Sequence, residues 1–82
     1  MARFVFRAIH TYQRAHKRGI TWEMVDYVLD HPDRIRPGRL IPGLPPTLVY
    51  ITELDNDRLR EYVELDSSDP LVVATVAWEV RR

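Results

Sequence analysis

His10, Arg14 and Arg18 recur at four-residue intervals within the stretch His10-Thr11-Tyr12-Gln13-Arg14-Ala15-His16-Lys17-Arg18-Gly19-Ile20-Thr21. On a helix, positions i, i+4 and i+8 share one face. The three therefore form one stripe, with Arg7 and Lys17 beside it. An imidazole can donate or accept a proton near neutral pH, and a guanidinium grips a phosphate through two parallel hydrogen bonds. Those are tools for phosphate chemistry. On that chemistry His10 and Arg14 are the catalytic candidates, and Arg18, Lys17 and Arg7 are phosphate contacts. The same spacing also describes a plain solvated face. His10 would then bond to a backbone carbonyl, Arg14 would pair with a carboxylate, and Arg18 would complement the negative end of the helix.

A second polar row lies in Arg58 to Leu65. Strand alternation puts Arg58, Arg60, Tyr62 and Glu64 on one face and Leu59, Val63 and Leu65 on the other. Arg58, Arg60 and Tyr62 are thus further candidates for phosphate contact, although any solvent-facing strand has this pattern. Glu61 falls on the apolar side, where the sequence suggests a meeting with Arg14 or His10. His16 lies on the apolar side of its helix and His31 precedes Pro32. Three histidines at these spacings make no metal-ligand pattern. Cysteine is absent, and no phosphate-cradling glycine loop or nucleophile elbow occurs. No metal or cofactor is expected.

These residues need two helices and a sheet to hold them. The first helix is expected from Ala8 to Arg18, with Ala8, Ile9, Tyr12, Ala15 and His16 on its apolar half, opposite the basic stripe. Gly19 suits a left-handed cap. Thr21 caps a second helix whose buried face is Met24, Val25, Val28 and Leu29, and Ile20 and Val25 form a hydrophobic staple. Met24 stands where a full capping box wants Glu or Gln. Pro32 ends the run. A rigid connector, Pro37 to Pro46, leads to three extended runs: Thr47 to Leu54, Arg58 to Leu65 and Leu71 to Val80. The turn Asp55-Asn56-Asp57 joins the first two. The apolar Leu71–Val80 run is expected at the centre. Ala2 to Phe6 and Arg34 to Leu40 are weaker strand candidates. The expected fold is α+β, a single domain of residues 1–82 with two N-terminal helices packed on a three- or four-stranded antiparallel sheet.

Eighty-two residues bury only about 60% of their unfolded surface, so the core is modest. The net charge is zero, which argues against a binder of bulk nucleic acid. The distribution is uneven. Residues 1–40 hold eight Arg or Lys against four Asp or Glu, and residues 41–82 hold the reverse. Such asymmetry gives either a basic face for an anionic ligand or two halves that pair with each other. The stretch Met1 to Ile9 carries Arg3 and Arg7 between its apolar residues and has no continuous apolar run long enough for a signal peptide or a membrane span, and the absence of cysteine fits a reducing cytoplasm.

The first thirty residues resemble domain-of-unknown-function family 4258, whose signature runs H-A-x-x-R-M-x-x-R-G-I-S/T followed by V-x-x-V-L. His10, Arg14, Arg18, Gly19, Ile20 and Thr21 stand at matching spacing, and Val25, Val28 and Leu29 match the second part. Thr11 and Ala15 depart from it. The family is similar to the RelE and ParE toxins, so the resemblance implies a RelE/ParE-like fold. It also implies a small toxin of a toxin–antitoxin pair, a metal-independent ribonuclease acting on RNA or at the ribosome, with a cognate antitoxin as partner. Fold alone is a weak guide to activity. The neutral charge favours the alternative, a non-catalytic interaction module or a homodimer paired through a strand edge.

Overall fold

The computed structural model describes residues 3–54 and 56–80. It contains β1 (Phe4–Phe6), α1 (Ile9–Lys17), α2 (Trp22–Asp30), β2 (Arg34–Pro37), β3 (Thr47–Leu54), β4 (Asp57–Glu64) and β5 (Leu71–Val80). The strands form one five-stranded sheet in the order β1-β5-β4-β3-β2. Three pairings are antiparallel, and β1 runs parallel to β5, with Phe4 opposite Leu71 and Phe6 opposite Val73.

The mixed five-stranded sheet corrects the expected three- or four-stranded antiparallel sheet. β1 is three residues long, too short for alternation to declare itself, and its partner lies at the other end of the chain. Phe4 and Phe6 point toward the helices, where Phe4 stacks on Trp22 at 4.0 Å. That aromatic contact, more than strand length, holds β1 in place. The centre of the sheet is also reassigned. β4 lies in the middle, although β5 has the longer apolar run, because β5 shares its outer side with β1 and α1. Ala2 of the first strand candidate and Asp55 of the expected turn lie outside the described residues.

Both helices pack on one face of the sheet. The core between them holds Phe4, Ala15, Ile20, Val25, Val28 and Leu29 against Leu59, Val63, Val73 and Val76. Each fully buried aliphatic side chain contributes about 1.5–3 kcal/mol. α2 starts where Thr21 Oγ1 accepts the Met24 N–H at 3.2 Å. Met24 completes the cap, since its sulfur accepts the Thr21 N–H at 3.4 Å. Gly19, with φ of +72°, closes α1 in a conformation that other residues resist.

The face of α1 that meets the sheet differs from expectation. Thr11 and Ala15 are buried, whereas Ile9 and Tyr12 are 70% and 51% exposed. The small pair lets the helix settle close against β5. The buried stripe is therefore turned toward the basic residues, which flank the sheet instead of opposing it. Among the described residues no helix is long and apolar enough to cross a membrane.

Candidate functional site

β1 covers only the first three residues of β5. Beyond them α1 takes over. The pairing of β4 with β5 slips by one residue, from Val63 opposite Val73 to Tyr62 opposite Thr75. Ala74 is the extra residue of this bulge, a device that re-aims backbone and side chains. Its carbonyl accepts a hydrogen bond from Thr11 Oγ1 at 3.2 Å. Further along, Arg18 Nη1 donates to the Val76 carbonyl at 3.0 Å, and Trp78 Nε1 donates to the Arg18 carbonyl at 2.9 Å. These three bonds lash α1 to the strand.

The lashing places His10, Arg7 and Arg14 at the rim of the face that carries no helix. A small cavity of about 130 Å³ opens there between Arg7, His10, Thr11, Arg14 and Thr75. It has the volume of roughly four water molecules, room enough for a phosphate group. It shares Arg7, Arg14 and Thr75 with a larger groove of about 450 Å³. The wall of that groove on the α1 side adds Arg18, and its floor is Thr47, Tyr62, Thr75 and Ala77. The connector between β2 and β3 forms the far wall through Arg39, Ile41, Leu44 and Pro45.

No carboxylate lines either space, and four guanidiniums do. Arg7 is the exception to their freedom, since its Nε donates to Glu64 at 2.6 Å. Arg18 bonds to a backbone carbonyl, which leaves its charge uncompensated. The side chains of Arg14, Arg39 and His10 have no hydrogen bond or ion pair with any described residue. The zero net charge of the chain thus conceals a local cationic surplus.

Five of the residues singled out in the sequence come together here: His10, Arg14, Arg18, Arg7 and Tyr62. Lys17 faces a separate hollow with Tyr12, Gln13 and His16. Arg58 and Arg60 lie on the same sheet face as Tyr62 but outside the groove. Arg58 pairs with Glu53 at 3.3 Å, and Arg58 and Arg60 each lie 3.7 Å from Glu79. Glu61 does not meet Arg14 or His10. It points to the helix side, fully buried, and neither carboxylate oxygen has a hydrogen-bond partner. Burial pushes its carboxyl up to about 9, with the charge of Asp26 adding to the effect. Among the described residues no three His, Asp or Glu side chains converge on a point that would suit a metal ion.

Arg39 and Thr75 were not singled out from the sequence. Arg39 carried a signal in hindsight, a cation beside large apolar residues in a proline-rich connector. Thr75 carried none, because the bulge that turns it outward leaves no mark on strand alternation. Comparison of the chain with protein-family models, with curated proteins and with solved structures gives no match.

Proposed function

We propose that the protein binds RNA in this groove and cleaves it without a metal ion, in the manner of a small cytoplasmic ribonuclease toxin. The observation that supports this most is the set of Arg14, Arg18 and Arg39 around one groove with no carboxylate to neutralise them. Arginines so placed attract a polyanion and hold its phosphates by charge-assisted hydrogen bonds. The resemblance to family 4258 includes two of the same residues, Arg14 and Arg18, and His10.

In this mechanism the small cavity takes the scissile phosphate between Arg14 and Arg7. The 2′-oxygen attacks phosphorus, its proton passes to a base, and the bond to the 5′-oxygen breaks as that oxygen gains a proton. His10 serves as the base or the acid. Arg14 steadies the charge that builds on the non-bridging oxygens. The products are a 2′,3′-cyclic phosphate and a 5′-hydroxyl. An antitoxin of acidic character would act by covering the same arginines.

One observation favours a second reading, binding without cleavage. A catalytic histidine is usually oriented by a third group, and the His10 side chain has no hydrogen-bond partner among the described residues. The deciding experiment incubates purified protein with single-stranded RNA in the presence of EDTA. Cleavage to cyclic-phosphate ends that His10→Ala abolishes, with folding and RNA binding retained, supports the nuclease. Binding with no cleavage by the wild type selects the second reading. Cleavage that His10→Ala leaves unchanged removes His10 from the mechanism.

A further inference from the structure

The walls of the groove differ in chemistry. The α1 side presents the guanidiniums of Arg7, Arg14 and Arg18, whereas the connector wall presents Ile41, Leu44 and Pro45 beside a single cation, Arg39. Ile41 and Leu44 are 52% and 50% exposed. Exposed aliphatic side chains gathered into one patch, unlike scattered ones, suit a binding surface. The connector is also held in shape. The Gly38 N–H donates to the Thr47 carbonyl at 2.9 Å, and the Leu44 N–H to the Ile41 carbonyl at 3.1 Å. A Cβ on Gly38 would overlap Thr47 Oγ1, so the chain passes there only because a hydrogen stands in its place. Three prolines, Pro42, Pro45 and Pro46, stiffen the rest.

We propose that the groove selects single-stranded RNA and fixes its direction of approach. The phosphates lie along α1, and an unpaired base is seated on the platform of Tyr62, Ile41 and Leu44. This rests on the RNA-binding reading above and extends it to the form of the substrate. Three considerations lead to it. First, aliphatic side chains offer no donors or acceptors to read base edges. They and the Tyr62 ring suit the flat face of a base, which is accessible only where bases are unstacked. Second, about 450 Å³ fits a small-ligand pocket and is too confined for a duplex. Third, Arg14 and Arg18 stand one helical turn apart, with about 5–6 Å between their Cβ atoms. That interval is of the order of the step between successive phosphates of a single strand. An acidic peptide would need no such repeat and no ring to stack upon.

The test uses the wild-type chain and a fluorescent 12-nucleotide 2′-O-methyl RNA, which cannot be cleaved, with anisotropy read over a range of salt. The single strand should bind ten-fold or more tightly than the same sequence in a duplex. Tyr62→Ala and Leu44→Ser should each weaken single-strand binding roughly five-fold or more while leaving the slope of log affinity against log salt unchanged. Leu44→Ser alters a half-exposed connector residue, so its effect is read on a folded protein. Arg14→Ala should instead lower the slope by about 0.7. Equal affinity for duplex and single strand, with Tyr62→Ala and Leu44→Ser both silent, overturns the platform and leaves the RNA-binding reading intact. No binding of any RNA at low salt overturns both. Displacement of the RNA by an equimolar polyglutamate peptide also overturns the inference and points to a protein partner.

Discussion

Replacing Glu61 with glutamine should change how stability depends on pH, and by an amount the structure sets. Glu61 sits on β4 between Leu59 and Val63 and is 0% exposed. Across the sheet it faces Tyr50 and Val76. No cation or hydrogen-bond donor compensates it there. Its carboxyl is therefore raised from 4.5 in the unfolded chain to about 9 in the folded one. Between those values the folded state holds one more proton than the unfolded state. Stability is then complete below pH 4.5 and is lost as pH rises toward 9. Each pH unit in that window removes about 1.4 kcal/mol. Glutamine keeps the shape and cannot ionise. The advantage of Glu61→Gln over wild type should thus grow by about 4 kcal/mol between pH 5 and pH 8, a large share of the 5–15 kcal/mol that holds a typical domain together. Urea unfolding followed by the fluorescence of Trp22 and Trp78 measures it, and other titrating groups cancel in the difference. With a urea dependence near 1 kcal/mol/M, the two midpoints should separate by roughly 4 M over that range. Midpoints that run parallel from pH 5 to pH 8 would refute the reasoning. They would mean that Glu61 ionises in the folded protein at its usual pH, and so reaches water or a cation.

Two further substitutions probe how the groove is built. Ala15→Leu should cost about 1–3 kcal/mol by overpacking the contact of α1 with β5, and should weaken RNA binding by moving the arginine wall; thermal denaturation and anisotropy would show both. Gly38→Ala should loosen the connector where it crosses Thr47, and reduce the protection of the Leu44 amide and of the amide at position 38 in hydrogen exchange without altering that of β4 and β5.

Much of the local structure was legible because it is written in short-range chemistry. Thr21 as a cap, Gly19 as a stop, and the apolar faces of α2 and β4 all follow from residues within a few positions of each other. What was not legible depends on contacts between distant parts of the chain. The parallel β1–β5 pairing joins Phe4 to Leu71, and nothing near Phe4 announces it. The face that α1 buries was decided by the small size of Thr11 and Ala15 against β5, whereas hydrophobicity alone favoured Ile9 and Tyr12. Arg39 reaches the groove because the connector folds back over the sheet, a path that prolines permit without specifying. Glu61 was placed correctly on the apolar side by alternation, but its isolation came from the packing of α2. The basic stripe itself was plain in the sequence. Its neighbours were not.

The hydrogen bond from Thr11 to Ala74 spans 63 positions, and this sets an order of events. As the chain leaves the ribosome, α1 and the apolar connector emerge well before β5 exists to receive them. The arginine wall has nothing to stand against until the last strand is made, and contacts of such long range also slow the final step of folding. An incomplete chain therefore carries the residues of the groove without the groove. A chain whose synthesis has not passed Val76 lacks the surface on which the proposed binding of RNA depends.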